Sequence, residues 1–150
     1  HIFRINLKIG LKMLNPNVVV KNIVNKNQVN TIVSTIARVL VAYIFIIAGY
    51  GKISDYAATA GYMEAMGVPS ALLPLTILVE LGGGLALLLG FQTRFAAFGL
   101  AVFSLITAFI FHSGVEDAIN LMKNLSMAGG LFFVMLHRAG KLSIDHSIEK

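Results

Sequence analysis

The stretch ILVELGGGLALLLG, residues 77–90, decides the fold of this chain. It holds one charged group, Glu80, among residues that are otherwise apolar or glycine. Extended back to residue 70, it makes a helix that crosses roughly 30 Å of hydrocarbon at about 1.5 Å per residue. The leucines, isoleucines and valines of residues 70–90 contribute about −3 to −7 kcal/mol on the insertion scale, against about +3 for one central acid. The span therefore inserts with its carboxylate, provided that Glu80 faces protein or water and finds a partner.

The rest of the chain agrees with a lipid solvent. Its 150 residues are 57% hydrophobic and 13% charged, and mean hydropathy is +0.80. A soluble domain of this size needs far more polar surface. Residues 31–52 form a first span containing Arg38, residues 94–112 a third, and residues 119–138 a fourth that Lys123 and Asn124 interrupt near its start. The fold class is thus all-α, an integral membrane four-helix bundle. Gly90 and Thr93 predict a tight hairpin between the second and third spans, with Thr93 as the cap. Ser54 predicts the N-cap of a short interfacial helix that ends at Gly67 and Pro69. Ser113 and Glu116 have the spacing of a capping box.

Residues 1–30 read as a basic, Asn-rich cytoplasmic tail, poorly ordered or lying on the membrane surface. Residues 31–150 read as the membrane domain. The chain starts at His1, which leaves Met13 as an alternative start, and residues 1–12 are expected to be dispensable for insertion. The net charge of +5 invites a nucleic-acid reading. Its placement excludes one, because the bases lie in the tails and in one tight turn, with no basic stripe interleaved with aromatics. Membrane topology accounts for the excess. With four spans, Arg4, Lys8, Lys12, Lys21, Lys26, Arg94, Arg138, Lys141 and Lys150 fall on one side, and Lys52 and Lys123 on the other. That asymmetry predicts that both termini are cytoplasmic.

No cysteine is present, so thiolate metal sites and thiol redox chemistry are excluded. The histidines, His1, His112, His137 and His146, show no zinc-binding spacing. The candidate polar site is intramembrane: Arg38, Glu80, Lys52, Lys123 and His112. On the first span Arg38, Ala42, Phe45, Gly49 and Lys52 share one stripe, and Glu80 shares a face with Gly83, Gly84 and Leu87. Measured from the span midpoints, Arg38 lies roughly 6 Å from the depth of Glu80, and its guanidinium suits a bidentate carboxylate contact. Arg38 is therefore the expected partner, with Lys123 on the fourth span as the alternative. An ion pair that only fixes helix register stands beside a ligand or proton role. Lys52 and Lys123 read as interfacial snorkelers ahead of ligands, and His112 as an interfacial histidine ahead of a site residue.

Arg38, Phe45, Gly49 and Lys52, then Gly67-Val68-Pro69, then Glu80 with Gly83-Gly84, then Leu88-Leu89-Gly90 and Arg94 together resemble the DoxX family, as does the closing Ser143-Ile144-Asp145. The resemblance covers residues 32–146. It implies a four-helix protein of the cytoplasmic membrane, with some relatives linked to quinone-dependent sulfur oxidation or to membrane oxidoreductase assemblies. Two functional expectations follow. One is an accessory membrane subunit that binds a quinone or docks a membrane or peripheral oxidoreductase partner. The other is a small-molecule or proton binding and transport module, or a structural partner without catalytic activity. The lipid bilayer is the expected partner, with a homo-oligomer open.

Overall fold

The computed structural model describes residues 2–13 and 15–149. His1, Leu14 and Lys150 lie outside the described residues, as do the side chains of Lys12 and Met13. Among the described residues four helices are long and apolar enough to cross a membrane, as the residue pattern predicts. They are α3 (Asn27–Ser54), α5 (Ser70–Leu89), α6 (Thr93–Phe111) and α7 (Ala118–His137), the last preceded by a 3₁₀ turn, Val115–Asp117. Short helices fill the rest: α1 (Ile2–Met13), α2 (Pro16–Val24), α4 (Tyr56–Ala65) and α8 (Ile144–Ile148). Among the described residues, the tail that precedes α3 carries two short helices, α1 and α2.

The spans pack as neighbours in chain order, with α3 against α5, α5 against α6 and α6 against α7, and α7 also touches α3. The core is small-residue rich: Ala42, Phe45, Leu87, Ala97, Leu100, Ala101, Ala128 and Leu131. Large apolar side chains such as Leu40, Phe95 and Phe133 point outward. That inversion is what a lipid-facing bundle requires, because small residues let helices approach where no hydrophobic drive between them exists.

The second span is not a uniform α-helix. It opens with a 3₁₀ turn at Ser70–Leu72, continues as α-helix over Leu73–Ile77, widens to a π turn at Leu78–Gly82 and resumes as α-helix over Gly83–Leu89. Gly90, left-handed at φ 67°, closes it: Phe91 N–H donates to Ala86 O at 2.9 Å and Gly90 N–H to Leu87 O at 3.1 Å, the Schellman arrangement.

Three expected caps form differently. Ser54 ends α3, its hydroxyl donating back to Tyr50 O at 3.3 Å, and α4 begins after Asp55 without a side-chain cap. Thr93 is the first residue of α6 rather than its cap; the cap comes from Asp145, far away in sequence. The Ser113–Glu116 box does not form. Val115–Asp117 turns as a 3₁₀ helix instead, and Asp117 accepts from Asn120 Nδ2 at 2.5 Å.

Candidate functional site

The register between α3 and α5 determines which charges meet. The two helices run antiparallel and touch through glycines. A Cβ added at Gly49 would lie 3.0 Å from the backbone nitrogen of Leu81, and one at Gly84 would lie 3.1 Å from that of Ile46. With Gly49 beside Leu81 and Gly84 beside Ile46, the level of Glu80 falls near residue 50. Lys52 is within one turn, and its Nζ sits 2.7 Å from Glu80 Oε2. The carboxylate is 8% exposed and the lysine 26%. Among the described residues no other donor bonds to Glu80.

The expected Arg38–Glu80 pair is therefore not formed. Arg38 lies about twelve residues further along α3, roughly 18 Å from the level of Glu80, well beyond the reach of one side chain. Span midpoints misjudge the depth because α3 and α5 are offset along their axes: Gly49 meets Leu81 and Gly84 meets Ile46, so the middle of α5 lies beside the C-terminal part of α3. Arg38 instead serves that end of the bundle. Its Nη1 donates to Ala139 O at 2.6 Å and its Nη2 to Leu142 O at 2.5 Å. The same C-terminal segment brings Asp145 to the start of α6, where its carboxylate accepts from Gln92 N–H at 2.7 Å and Thr93 N–H at 2.8 Å. Asp145 N–H in turn donates to Gly90 O at 2.8 Å. Burial opposes ionisation of Asp145, but the Thr93 and Gln92 hydrogen bonds and the Arg38 charge outweigh it and hold the carboxyl below its ordinary value. A Cβ on Gly90 would lie 2.3 Å from Ser143 Cβ and 2.5 Å from Arg38 Nη1, so only glycine fits where the strap crosses.

At the opposite end, Lys52 and Glu80 line a cavity of about 400 Å³ between α3, α5, α6 and α7, with α4 over its mouth. Its walls are mostly apolar, Phe45, Phe103, Phe111 and Met127 among them. Set into them are Ser104, Thr107, His112 and Asn124. Thr107 Oγ1 donates to Phe103 O at 3.0 Å, and Asn124 Nδ2 reaches Thr107 Oγ1 at 3.4 Å. Ser104 Oγ is buried and has no partner among the described residues. His112 Nδ1 pairs with the Asp117 carboxylate at the mouth. From α4, Tyr62 stacks on Phe111 with ring centroids 5.6 Å apart, and the helix is tied down where Ser70 Oγ donates to Glu64 Oε1 at 2.6 Å.

Of the residues singled out from the sequence, the fold brings Lys52, Glu80 and His112 to one cavity and leaves Arg38 and Lys123 outside it. Lys123 is exposed because the inward face of α7 is set one residue further on. That face carries Asn124, Ala128 and Leu131, the latter two fully buried. Lys123 itself is rotated by about 100° from the centre of that face. Ser104, Thr107 and Asn124 are additions. The first two stand at i, i+3 in a span with no charge between Arg94 and His112, which marks a polar facet, but only tertiary packing shows what it faces. The π turn that carries Glu80 has no sequence mark beyond the weak helix formers Gly82–Gly84, and such turns recur at functional positions.

Comparison with known proteins places this architecture. The model of the DoxX family matches residues 33–113. The chain is 50% identical over 118 residues to "Inner membrane protein YqjF" of Escherichia coli (strain K12), covering 77% of this chain and 91% of that protein. It is 32% identical over 120 residues to "Inner membrane protein YphA" of the same organism, covering 73% of this chain and 86% of that protein. No solved structure matches it.

Proposed function

The chain belongs to the DoxX family of membrane proteins, and from that premise we propose that it is an intramembrane binding module for a small amphiphile. The observation that carries the proposal is the unpartnered Ser104 hydroxyl in a cavity of about 400 Å³ that also holds the Lys52–Glu80 pair. A buried polar atom without a partner is uncommon in a finished structure. A mostly apolar cavity with a few convergent polar groups is the usual form of a small-molecule site.

The ligand class that suits these groups has hydrogen-bond acceptors on a flat apolar body. Lys52 and Ser104 supply donors, and Phe103 and Phe111 supply faces. A quinone has that chemistry. With a quinone bound, Glu80 is placed to exchange a proton at membrane depth, and the chain becomes the accessory subunit of a quinone-linked oxidoreductase. Transport has less support. The bundle end beside the termini is closed by the Arg38–Asp145 cluster, and a transported solute would have to pass it. The location proposed is the inner membrane, in keeping with the names of the relatives, with both termini on the cytoplasmic side.

The test is the lipid extract of protein purified from its native membrane, followed by calorimetric titration in nanodiscs with a short-chain quinone. A stoichiometric chromophore and saturable binding are expected, and Ser104→Ala and Lys52→Gln should each weaken binding about tenfold, the scale of one lost hydrogen bond or more. An empty extract with no saturable heat rejects the proposal. Saturable binding that both variants leave unchanged moves the ligand to another surface.

A further inference from the structure

We propose that α1 is an anionic-lipid-binding helix, lying in the headgroup layer of the leaflet at which α3 begins. The proposal is independent of the cavity at the far end of the bundle.

Three observations carry it. First, every described side chain of α1 is exposed. Its large apolar residues include Ile2 at 75% and Phe3 at 80% exposure, and the least exposed of them, Ile5, is at 47%. So much apolar surface on one short helix is not left to water in a stable protein. A helix of twelve residues is also marginal on its own in water, so whatever covers the apolar surface also holds the helix together.

Second, the charges are one-signed and aligned. Arg4 and Lys8 stand at i, i+4, with position 12 of the sequence, also lysine, at the same spacing. They form a narrow stripe. The rest of the circumference carries Ile2, Phe3, Ile5, Leu7, Ile9 and Leu11, interrupted by Asn6 and Gly10. No acidic residue precedes Asp55, so nothing within the first fifty-four residues neutralises the stripe. A helix with an apolar arc and a basic stripe is the interfacial type. Its bases extend from the acyl boundary to phosphate level, and the complementary surface is negative.

Third, the chain keeps α1 near that surface. Only Asn25 and Lys26 separate α2 from α3, and only Leu14 and Asn15 separate α1 from α2. The helix is thereby tethered beside the point where the first span leaves the hydrocarbon. The bases of α2 and its junction, Lys21 and Lys26, fall in the same zone.

The absence of cysteine makes the test direct. The full chain carrying Ile9→Cys takes a single nitroxide label. It is reconstituted in nanodiscs of phosphatidylcholine alone or of phosphatidylcholine with phosphatidylglycerol, and label accessibility to oxygen and to a water-soluble nickel chelate is read by power saturation. In the anionic discs the label should be oxygen-accessible and shielded from nickel. Arg4→Gln with Lys8→Gln should weaken that partitioning roughly 30-fold, at the usual strength of a base near an anionic surface, and high salt should do likewise. Because both substitutions lie outside the spans, the melting temperature of the bundle serves as the folding control and should not move. A label that stays in water in anionic discs overturns the proposal. Equal burial in neutral discs and in the double variant overturns it too, since the contact would then be apolar and not charge-selective. Dipolar broadening between labels in discs that hold two copies assigns the face to a second copy of this chain, which also overturns it.

Discussion

Lys52 and Glu80 do not share the burden of their pair equally. The lysine is 26% exposed and the glutamate 8%, so a lysine left alone can swing its ammonium toward the headgroups, whereas a glutamate left alone stays buried. Stranding a buried charge costs about 3–5 kcal/mol. Lys52→Gln should approach that cost, and Glu80→Gln should cost about 1–2 kcal/mol, the scale of a lost charged hydrogen bond. The double variant should lose less than the two single losses combined. Thermal melting in detergent measures all three, and equal single costs would contradict the asymmetry. The companion cycle of Glu80→Gln with Arg38→Gln should be additive within experimental error, since about 18 Å separates the two levels. Coupling there would place the two residues in contact and refute the helix register described. A sequence can show that Glu80 needs a base. It cannot show which one, because the choice rests on Gly49 meeting Leu81 and Gly84 meeting Ile46, contacts between segments about thirty to forty residues apart.

Among the helices, two features respond to simple changes. The π turn at Leu78–Gly82 is in effect one extra residue in an α-helix. Deleting Gly82 should restore α periodicity and rotate Glu80 by about 100° relative to Gly84. Such a variant should still insert, since the span loses only one residue, but should lose ligand binding; retained binding would show that the turn does not position the carboxylate. The second feature is the start of α6, capped by Asp145. Folding holds the Asp145 carboxyl below its ordinary value. Its contribution is therefore complete above roughly pH 4, the unfolded value, and fades as pH falls below that toward the folded value. Asp145→Asn should lower the melting temperature at pH 7 and flatten the acid limb between about pH 4 and the folded value. A parallel limb in wild type and variant would remove Asp145 from the acid response. The spans, the Gly90 stop and the inward stripe of α3 were legible from local pattern, because each follows from hydropathy or from one residue's conformational freedom. The Asp145 cap was not, because its donors at Gln92 and Thr93 lie more than fifty residues away and their own neighbourhood offers a conventional cap in Thr93.

For the molecule as a whole, the basic residues fall mainly beside the two termini, and reporter fusions after Lys150 and within α4 should report a cytoplasmic and a periplasmic location respectively. A periplasmic C-terminus would reverse the proposed orientation and move α1 to the outer leaflet. The fold class and the number of spans could be read from composition and span length, because lipid admits few alternatives. Half of the candidate site could be read as well, since an acid in an apolar span marks itself. Its walls could not, because Ser104 and Asn124 become a site only when α6 and α7 turn them inward. The strap at the other end also has a consequence in time. Arg38 belongs to α3, which leaves the ribosome before the other three spans, yet the carbonyls that receive its guanidinium, those of Ala139 and Leu142, come 101 and 104 residues later. At about 5–20 residues per second, the first span waits roughly 5–20 s in or beside the translocon with an unanswered cation. During that interval the nascent chain is a substrate for chaperone or protease, and a chain that ends before Ala139 never leaves that condition.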